Sequence, residues 1–416
     1  MPSPSYVTLV TSMHIGAAAR PVVKVGEKVN VGTLVAEGVG AVSSPIYSSV
    51  SGTVKKIEDV TVASGQKVPA IIIESDGAMT PDVYISPVEI SSKDELIEAI
   101  RNSGVVGLGG AGFPTHVKFN VPDGTVIDEL IINCAECEPY ITSDTRTMLD
   151  KSEDMAFGIE QIMKHLDIKK VIIAIEDNKK SAIESMRRMA NSIEGATLSV
   201  LKSRYPQGAE KVLIYHTTGK VVPAGKLPLH VGTLVCNCTT VAAIGSFIKT
   251  GMPLVNKCVT VDGGAVREPK NVIVPIGTSI KDVIEFCGGF SAAPGKIIYG
   301  GPMMGISVPD VESPIMKNTN AILVFDEKEG IQKEQTQCIR CGACASHCPY
   351  NLTPFAFAKA YRNSDVEALR SLRVDICMEC GCCAFVCPAN IPLVQMHKLS
   401  KDMLRAADKK EKEGTK

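Results

Sequence analysis

Residues 338–349 read CIRCGACASHCP, and residues 377–388 read CMECGCCAFVCP. Each run has the spacing C-x2-C-x2-C-x3-C followed by proline, so eight cysteines stand in two equivalent sets. Three closely spaced thiolates can wrap one side of an iron–sulfur cluster, and the fourth ligand must come from elsewhere in the chain. The alternative, a pair of structural zinc sites, favours separate C-x2-C pairs. The two runs therefore predict two [4Fe-4S] clusters.

The fourth cysteine of each run is predicted to cross to the other cluster, as it does in two-cluster ferredoxins. The ligands of the first cluster, called cluster one, are then Cys338, Cys341, Cys344 and Cys387. The ligands of the second, called cluster two, are Cys377, Cys380, Cys383 and Cys348. The segment between the runs has helical periodicity and is longer than in a minimal ferredoxin. We therefore expect a helical 2[4Fe-4S] ferredoxin domain over residues 333–400, in which Cys382 either contacts the cluster ligands without binding iron or is a packing residue.

The whole chain has 416 residues, 45% hydrophobic composition and a formal net charge of -1. At about 100–200 residues per domain, this length allows about two to four domains. The balanced charge argues against a nucleic-acid partner. No stretch reaches roughly 18 uninterrupted apolar residues, and the N-terminus lacks the basic and apolar regions of a signal peptide. We therefore expect a cytoplasmic protein whose clustered cysteines stay reduced.

Residues 1–80 alternate apolar and polar residues between turns at Gly26, Gly32 and Gly52, which indicates short strands. They resemble the biotinyl/lipoyl type of barrel, so we expect a barrel-sandwich-like all-β domain. In that family a lysine in the hairpin between the two halves carries the prosthetic group. The hairpin here, residues 38–46, reads GVGAVSSPI and contains no lysine. A structural role is therefore expected for this domain.

Residues 90–250 change to alternating helices and strands. Ser92 and Glu95 fit a capping box at the start of a helix that stops at Gly104. Further strands are predicted at residues 128–136 and 169–177, and further helices at residues 152–166 and 178–193. Strands that alternate with helices indicate a parallel sheet covered on both faces, hence an α/β domain.

The remaining parts of the chain differ from this pattern. Residues 255–325 return to strands and turns with one helix near residues 279–287, which predicts a small α+β domain. A polar linker then leads to the cysteine motifs. Residues 401–416 are rich in charge and poor in apolar residues, and we expect a disordered tail there. The predicted fold class is thus multidomain α/β.

The stretch GVVGLGGAGFPTHVK, residues 104–118, contains G-x-G-x-x-G from Gly107 to Gly112. The dinucleotide fingerprint requires a strand before the glycines and a helix after them. Here a helix precedes the loop and Pro114 follows it, so the Rossmann context is missing. Glycine amides can nevertheless close around a flat ring or a phosphate.

This loop resembles the flavin-binding loop of the NADH-oxidising flavoprotein subunit of respiratory complex I. The chain as a whole resembles the C subunit of the Rnf ferredoxin:NAD electron-transport complex. The segments HIGAAARPVVKVG, NCAECEPYITSD, YPQGAEK, VDGGAV and GGPMMG occur in order before the two cysteine motifs. Cobalamin reductases of propanediol microcompartments and electron-transfer proteins of proline reductase systems share these modules. The resemblance implies FMN and NAD(H) as cofactors, and a soluble-ligand-binding β-grasp domain over residues 255–325.

Carried over by position, the resemblance places the glycine loop along the flavin and nucleotide cleft. It implies that Phe113 stacks on a ring of the bound cofactor and that Lys118 contacts the flavin. It places Glu138 at the nucleotide, with Asn237 and Thr240 at the phosphate end. The implied set is Gly107, Gly109, Gly110, Ala111, Gly112, Phe113, Lys118, Asn133, Glu136, Glu138, Tyr205, Gly208, Glu210, Asn237 and Thr240. The chain departs from the complex I pattern at Ala135, Cys137 and Ala209.

The expected function is electron transfer between NADH, FMN, two [4Fe-4S] clusters and a partner redox protein. No residue is expected to act as a nucleophile or general base. The expected partners are other electron-transport subunits, a flavoprotein, a ferredoxin or a corrinoid or proline reductase system, with any membrane association on the cytoplasmic face, peripheral and through protein contacts. Two alternatives stay open: an electron donor to cobalamin or proline reductase, and a non-enzymatic ferredoxin scaffold with a vestigial flavin cleft.

Overall fold

The computed structural model describes residues 1–122 and 124–414. The chain divides into two compact units. The first contains Met1–Val222, Leu227–Gly301 and Gly305–Gly330. The second contains two short loop segments, Pro223–Lys226 and Pro302–Met304, and the C-terminal segment that begins at Ile331.

The N-terminal part of the first unit is all-β. Its two antiparallel sheets have the strand orders β1-β7-β6-β3 and β2-β4-β5. Alternate residues of β1, such as Val7 and Leu9, are buried with Val54, Ile71 and Ile73, as the period-two pattern requires. The strands are β1 (Tyr6–Val10), β2 (Arg20–Pro21), β3 (Lys28–Val29), β4 (Leu34–Glu37), β5 (Ile46–Tyr47), β6 (Gly52–Thr61) and β7 (Lys67–Ser75).

The central part is an α/β layer structure around a four-stranded parallel sheet. Its helices are α1 (Lys93–Asn102), α2 (Thr115–Phe119), α3 (Ser143–Asp150), α4 (Ser152–Leu166), α5 (Lys180–Ser192), α6 (Glu210–Thr218) and α7 (Cys238–Thr250). Its strands are β8 (Glu129–Cys134), β9 (Val171–Glu176), β10 (Ala196–Leu201) and β11 (Thr233–Asn237). The predicted parallel sheet is confirmed, in the order β10-β9-β8-β11.

Both faces of this sheet are covered. Every residue of β9 is buried, which explains the uninterrupted apolar run VIIAI in its sequence. One face packs against α4 and α7 through residues such as Ile159 and Ile244, and the other against α6 through Leu213. A Cβ on Gly158 of α4 would lie 2.5 Å from the Val241 carbonyl oxygen, so this glycine lets α4 and α7 approach closely.

The third part is a mixed five-stranded sheet of order β13-β12-β16-β14-β15 with a short helix. Ser279 caps that helix by accepting a hydrogen bond from the Asp282 amide at 3.1 Å. The elements are β12 (Asn256–Asp262), β13 (Lys270–Pro275), α8 (Ile280–Phe286), β14 (Pro294–Tyr299), β15 (Ile306–Ser307), β16 (Ala321–Asp326) and a terminal turn of helix, α9 (Glu327–Gly330).

The second unit is helical between its cysteine loops. The two loops share their backbone conformation: Arg340 and Glu379 have φ of 56° and 59°, and Gly342 and Gly381 have φ of 75° and 85°. Cysteines at equivalent positions of the two loops therefore have similar local backbone geometry. The helices are α10 (Ala343–Ser346), α11 (Pro354–Arg362), α12 (Val366–Ser371), α13 (Cys382–Phe385) and α14 (Leu393–Gly414).

Helix α14 corrects one expectation from the sequence. Residues 401–414, expected to be disordered, continue this helix, and residues 415–416 lie outside the described residues. Leu404 is buried in the helical core, and Arg370 of α12 contacts Asp408 at 2.5 Å and Glu411 at 3.2 Å. The charged run is thus the solvated side of a packed helix, and its charges pair across to α12.

Within the described part of the chain, no helix is long and apolar enough to cross a membrane.

Candidate functional site

The carboxyl edge of the parallel sheet contains a topological switch point. From β8 the chain runs to β9 and β10 on one side, whereas β11 lies on the other side of β8. Ligands of open α/β sheets bind in the crevice at such a point. Asn133 at the end of β8 and Asn237 at the end of β11 are register partners there. Two residues expected in the flavin cleft from the sequence are therefore neighbours at the crevice.

The glycine loop lies against the N-terminus of α7. Asn237 caps this helix by accepting a hydrogen bond from the Thr240 amide at 3.2 Å. Thr240 Oγ1 in turn accepts one from the Leu108 amide at 2.9 Å. A Cβ on Gly109 would lie 2.9 Å from Asn237 Nδ2, so glycine permits this approach. A 13-residue helix presents free amides and a partial positive charge at this end, which suits a phosphate group.

Other domains of the first unit hold the tip of the loop in shape. The Ile15 amide of the all-β part donates to the Gly112 carbonyl oxygen at 2.9 Å. Asn318 Nδ2 donates to the Gly110 carbonyl oxygen at 3.1 Å. Lys257 Nζ donates to the Leu108 carbonyl oxygen at 2.5 Å, and burial lowers the pKa of this lysine to about 8.

The middle of the loop stays open despite these contacts. Gly109, Gly110 and Ala111 are exposed, and Gly107 and Phe113 are half-buried. Gly110 has a φ of 112°, and a Cβ placed on it would have open space around it. The loop is therefore a preformed cradle of backbone groups that a ligand can approach closely.

Two further segments line the crevice. Lys118 Nζ donates to Glu210 Oε1 at 2.9 Å and to the Val235 carbonyl oxygen at 3.0 Å. Asn133 Nδ2 donates to the Gly208 carbonyl oxygen at 2.9 Å, which ties β8 to the turn that contains half-buried Tyr205. The structure thus brings the glycine loop, the end of β8 and the segment before α6 together.

The two acidic residues after β8 differ in their surroundings. Glu136 is buried, and its carboxylate accepts hydrogen bonds from the Asp144 amide at 2.7 Å, Thr145 Oγ1 at 2.6 Å and Lys179 Nζ at 2.9 Å. Burial, together with the Asp144 carboxylate, raises the pKa of Glu136 to about 7. Glu138 is half-buried and lies beside Gly301, where a Cβ would come within 2.2 Å of its carboxylate. Of the two, Glu138 is the less buried.

These groups fit flavin mononucleotide. The α7 N-terminus and the open loop amides suit its phosphate, and Lys118 and Glu138 suit polar groups of a ring or a nucleotide. The fit rests on donors and acceptors of the chain itself: an open cradle at Gly110 and a helix end capped by Asn237.

The second unit contains the eight motif cysteines, and some cysteines of different runs lie close together there. Cys348 lines one small cavity together with Cys377, Cys380 and Cys383. Cys387 lies close enough to Cys344 to raise the pKa of that thiol electrostatically, after the larger effect of burial. Cys348 thus lies with three cysteines of the second run, and Cys387 lies near one cysteine of the first run. Cys338 and Cys341 are exposed, whereas Cys380 and Cys383 are buried.

Models of known protein families match four consecutive parts of the chain. They are the RnfC barrel sandwich hybrid domain over residues 1–78, the Nuo51 FMN-binding domain over residues 100–246, the SLBB domain over residues 258–307 and the 4Fe-4S dicluster domain over residues 334–410. The expected multidomain fold class is confirmed, including the FMN-binding and two-cluster parts.

Relatives match most of the chain at once. The C subunit of the proton-translocating ferredoxin:NAD(+) oxidoreductase complex of Clostridium ljungdahlii is 43% identical over 361 residues, which cover 85% of this chain and 78% of the relative. The C subunit of the Na(+)-translocating ferredoxin:NAD(+) oxidoreductase complex of Acetobacterium woodii is 40% identical over 86% of this chain and 81% of the relative. The chain belongs to the RnfC family, the C subunits of Rnf complexes. It is an electron-transfer protein with an FMN-binding domain and a 4Fe-4S dicluster domain.

A solved structure shows the fold of this RnfC-family chain in another setting. The crystal structure of an NAD+-reducing [NiFe]-hydrogenase in the H2-reduced state contains a chain with a TM-score of 0.50 and 18% identity. The match covers 76% of this chain and 63% of the hydrogenase chain, less than two thirds of its length. At this identity the likeness concerns the fold alone.

Sequence reasoning missed one buried carboxylate of the site. Glu176 ends β9 at the carboxyl edge, is buried, and accepts a hydrogen bond from the Arg204 amide at 3.3 Å through Oε1. Its Oε2 atom is buried without a protein partner. Burial raises the pKa of Glu176. A charged residue at the end of an apolar strand was the available signal.

The sequence also did not reveal what holds the loop in place. Lys257 and Asn318 reach it from the part of the chain that contains the mixed five-stranded sheet, and Asp144 accepts hydrogen bonds from Asn237 Nδ2 at 2.7 Å and Thr239 Oγ1 at 2.6 Å. Lys257 and Asn318 lie in no motif quoted from the sequence, and Asp144 ends the segment NCAECEPYITSD without having been singled out.

Proposed function

We propose that this chain passes electrons between NADH and a partner redox protein, with FMN and two [4Fe-4S] clusters as its redox groups. The observation that carries the proposal is the crevice at the switch point of the parallel sheet, where the glycine loop meets the N-terminus of α7. The eight cysteines of the second unit supply the one-electron part of the route. The direction of flow is set by the potentials of donor and acceptor, and both directions use the same groups.

Each part of the crevice has a separate task in this proposal. The α7 N-terminus, with Asn237 and Thr240, holds the flavin phosphate through amides that the helix leaves free. Lys118 lies at the other side of the loop and places a positive charge near the ring. Glu138 accepts hydrogen bonds from ribose hydroxyls of the nucleotide, as carboxylates do in dinucleotide sites.

Bound FMN supplies the conversion between a two-electron hydride transfer and single-electron transfer. The chain contributes by positioning and by setting potentials, since no nucleophile or general base is required. Glu136, saturated by three protein donors, contributes rigidity. Its carboxylate keeps α3 and α5 fixed behind the crevice.

The cluster ligands follow the crossing pattern in this proposal. Cluster one takes Cys387 in addition to the first three cysteines of the first run. Cluster two takes Cys348 in addition to the first three of the second run. The cavity that Cys348 shares with Cys377 supports this crossing.

The relatives are subunits of ferredoxin:NAD(+) oxidoreductase complexes, one described as proton-translocating and one as Na(+)-translocating. We therefore propose that the partners of this chain are other subunits of such a complex. Association with the cytoplasmic face of a membrane would then be peripheral, through contacts with those subunits.

A second candidate is a ferredoxin scaffold whose flavin cleft is vestigial. One observation favours it: three predicted cleft residues, Lys118, Glu136 and Asn237, already have protein partners. The electron donor to a cobalamin or proline reductase system keeps the proposed chemistry and changes only the acceptor.

Anaerobic reconstitution with FMN and iron followed by an NADH titration tests the proposal. Optical spectra report the flavin and EPR spectra report the clusters. We expect NADH to bleach the flavin and then to reduce the clusters. Brown cluster absorbance with no flavin retained would favour the scaffold, and retained flavin that NADH leaves oxidised would refute NADH as the donor.

Controls separate the two halves of the route. A Cys348→Ser variant should lose cluster two and keep reduction of the flavin by NADH. Flavin reduction in the full chain without cluster reduction would damage the proposed route and leave the NADH step intact.

A further inference from the structure

His397 of α14 faces a ligand of cluster two. Its Nδ1 atom lies 3.6 Å from Cys377 Sγ, and its Nε2 atom lies 3.3 Å from the Pro354 carbonyl oxygen. The ring is buried and packs edge-on against Phe357, with centroids 5.1 Å apart. Its orientation is therefore fixed by packing on one side and by polar contacts at both nitrogens.

Lys401 follows one turn later on the same helix. Its Nζ atom donates to the Cys377 carbonyl oxygen at 2.5 Å and to Glu379 Oε1 at 2.6 Å. Only 15% of the side chain is exposed. Residues four apart lie on the same face of a helix. His397 and Lys401 therefore both contact Cys377, one at its sulfur and the other at its carbonyl oxygen.

The surroundings of cluster one are different in the described part of the chain. Cys338 is the counterpart of Cys377 in the first run and is exposed. Among the residues that the structure describes, no hydrogen bond joins a histidine or lysine side chain to a sulfur of cluster one; Cys344 receives its hydrogen bonds from backbone amides, Phe355 among them. The two equivalent backbone loops therefore differ in what surrounds them.

A reduced cluster carries one more negative charge than an oxidised one. Burial of Cys380 and Cys383 disfavours that extra charge, because water stabilises it less there. Hydrogen bonds to cluster sulfurs and nearby positive charge favour it and raise the potential. A thiolate ligand and the Pro354 carbonyl oxygen both only accept hydrogen bonds, and a neutral imidazole has one N–H, so His397 acts on Cys377 in the tautomer that carries its hydrogen on Nδ1.

We propose that His397 and Lys401 are positioning residues that raise the reduction potential of cluster two and so offset its burial. The proposal rests on the cluster assignment made under the proposed function. A buried cluster without them would be harder to reduce than its exposed neighbour. With His397 and Lys401 present, the potential of cluster two stays high enough for the same electron donor to reduce both clusters.

Redox titration of the reconstituted chain with dye mediators, followed by EPR, tests this without NADH. The Cys348→Ser variant identifies which signal belongs to cluster two. His397→Phe removes the donor and keeps a ring, and Lys401→Met removes the charge and keeps the length. Both should move the midpoint potential of cluster two to more negative values and leave cluster one unchanged.

Two matched variants complete the experiment. His397→Asn retains an N–H donor at a similar distance and should keep the potential near that of the unaltered chain. Lys409→Met removes an exposed charge farther along α14 and should change neither cluster. Unchanged potentials in both His397→Phe and Lys401→Met, or equal shifts of both clusters, would overturn the proposal. If His397→Phe fails to load cluster two, Lys401→Met decides alone. If the unaltered chain and all variants fail to assemble clusters, that result would instead refute the proposed function.

Discussion

The ammonium of Lys118 lies 2.9 Å from the carboxylate of Glu210 and joins α2, directly after the glycine loop, to the first residue of α6. The side chains are 33% and 39% exposed, so their pairing contributes only about 0–1 kcal/mol to folding. We expect the pair to act instead on the potential of a bound flavin. Glu210 partly neutralises the charge that Lys118 presents to the crevice from the loop side.

Removing the charge of Glu210 and removing the charge of Lys118 should therefore shift the flavin potential in opposite directions. Glu210→Gln leaves Lys118 unopposed and should bind reduced flavin about tenfold more tightly relative to oxidised flavin, as expected for one charge-assisted hydrogen bond. Lys118→Met should do the reverse. Spectroelectrochemical titration measures both, and shifts of the same sign would contradict this account of the pair.

Gly109 should tolerate no side chain. A Cβ would meet Asn237 Nδ2 at 2.9 Å and displace the residue that caps α7. We expect Gly109→Ala to weaken FMN binding by about 1–3 kcal/mol, the usual cost of overpacking. Fluorescence titration of the flavin measures this.

A matched glycine in the same loop provides the control. The Cβ of Gly107→Ala would lie 3.5 Å from its nearest neighbour, the Phe113 amide nitrogen, which is ordinary contact. This variant should bind FMN like the unaltered chain. Equal losses in both variants would show that flexibility of the loop matters, and not the approach to Asn237.

Glu176 should contact the bound cofactor. Its buried Oε2 atom has no protein partner, and such an atom costs free energy unless a ligand or water satisfies it. Glu176→Gln should weaken FMN binding about tenfold, the worth of one charge-assisted hydrogen bond, yet leave the apoprotein as stable or more stable. Isothermal titration and thermal melting of the apoprotein measure the two effects.

Asp177, the next residue, is the control for Glu176. It is partly exposed and pairs with Lys202 at 3.3 Å. Asp177→Asn should leave FMN binding unchanged. Loss of apoprotein stability in Glu176→Gln would indicate a purely structural carboxylate.

The crossing of cluster ligands can be tested by single serine variants. Cys348→Ser should perturb the same EPR signal as Cys377→Ser, because these thiols share one cavity. Cys387→Ser should perturb the same signal as Cys344→Ser. If Cys348→Ser and Cys344→Ser affected one common signal, each run would serve its own cluster and the assignment would be wrong.

The all-β part should lose stability in acid through His14. Burial, assisted by the nearby Lys317 ammonium, lowers the pKa of His14 to about 4 from its ordinary value of 6.5. As the pH falls from 6.5 to 4, His14 takes up a proton in the unfolded chain but stays neutral in the folded chain, so the free energy of unfolding falls over this window. His14→Gln keeps an acceptor for the Ser44 amide, which donates to Nε2 at 3.1 Å, and does not titrate.

Thermal melting at several pH values checks this expectation. The difference between the unaltered chain and His14→Gln should grow as the pH falls below 6.5, the ordinary pKa of histidine. A constant difference at all pH values would show that His14 is protonated in both states or in neither.

Several elements follow from local sequence alone. The spacing of apolar residues predicts a helix over residues 152–166, and α4 spans the same range, because those positions recur at the helical period. Ser92 accepts a hydrogen bond from the Glu95 amide at 3.2 Å, as a cap should, and Glu95 Oε2 accepts one from the Ser91 amide at 2.7 Å. The expectation of a disordered C-terminal tail was wrong, because composition does not show which face of a helix is packed.

By itself the sequence determined the cysteine spacing, the parallel sheet and the glycine loop, since each depends on residues within a few positions or on a regular period. Only the tertiary structure decided that β11 lies beside β8, that Lys257 and Asn318 hold the loop, and that His397 faces Cys377. Those contacts join residues far apart in the chain. Their geometry depends on how whole elements and domains pack, which no local pattern of residues encodes.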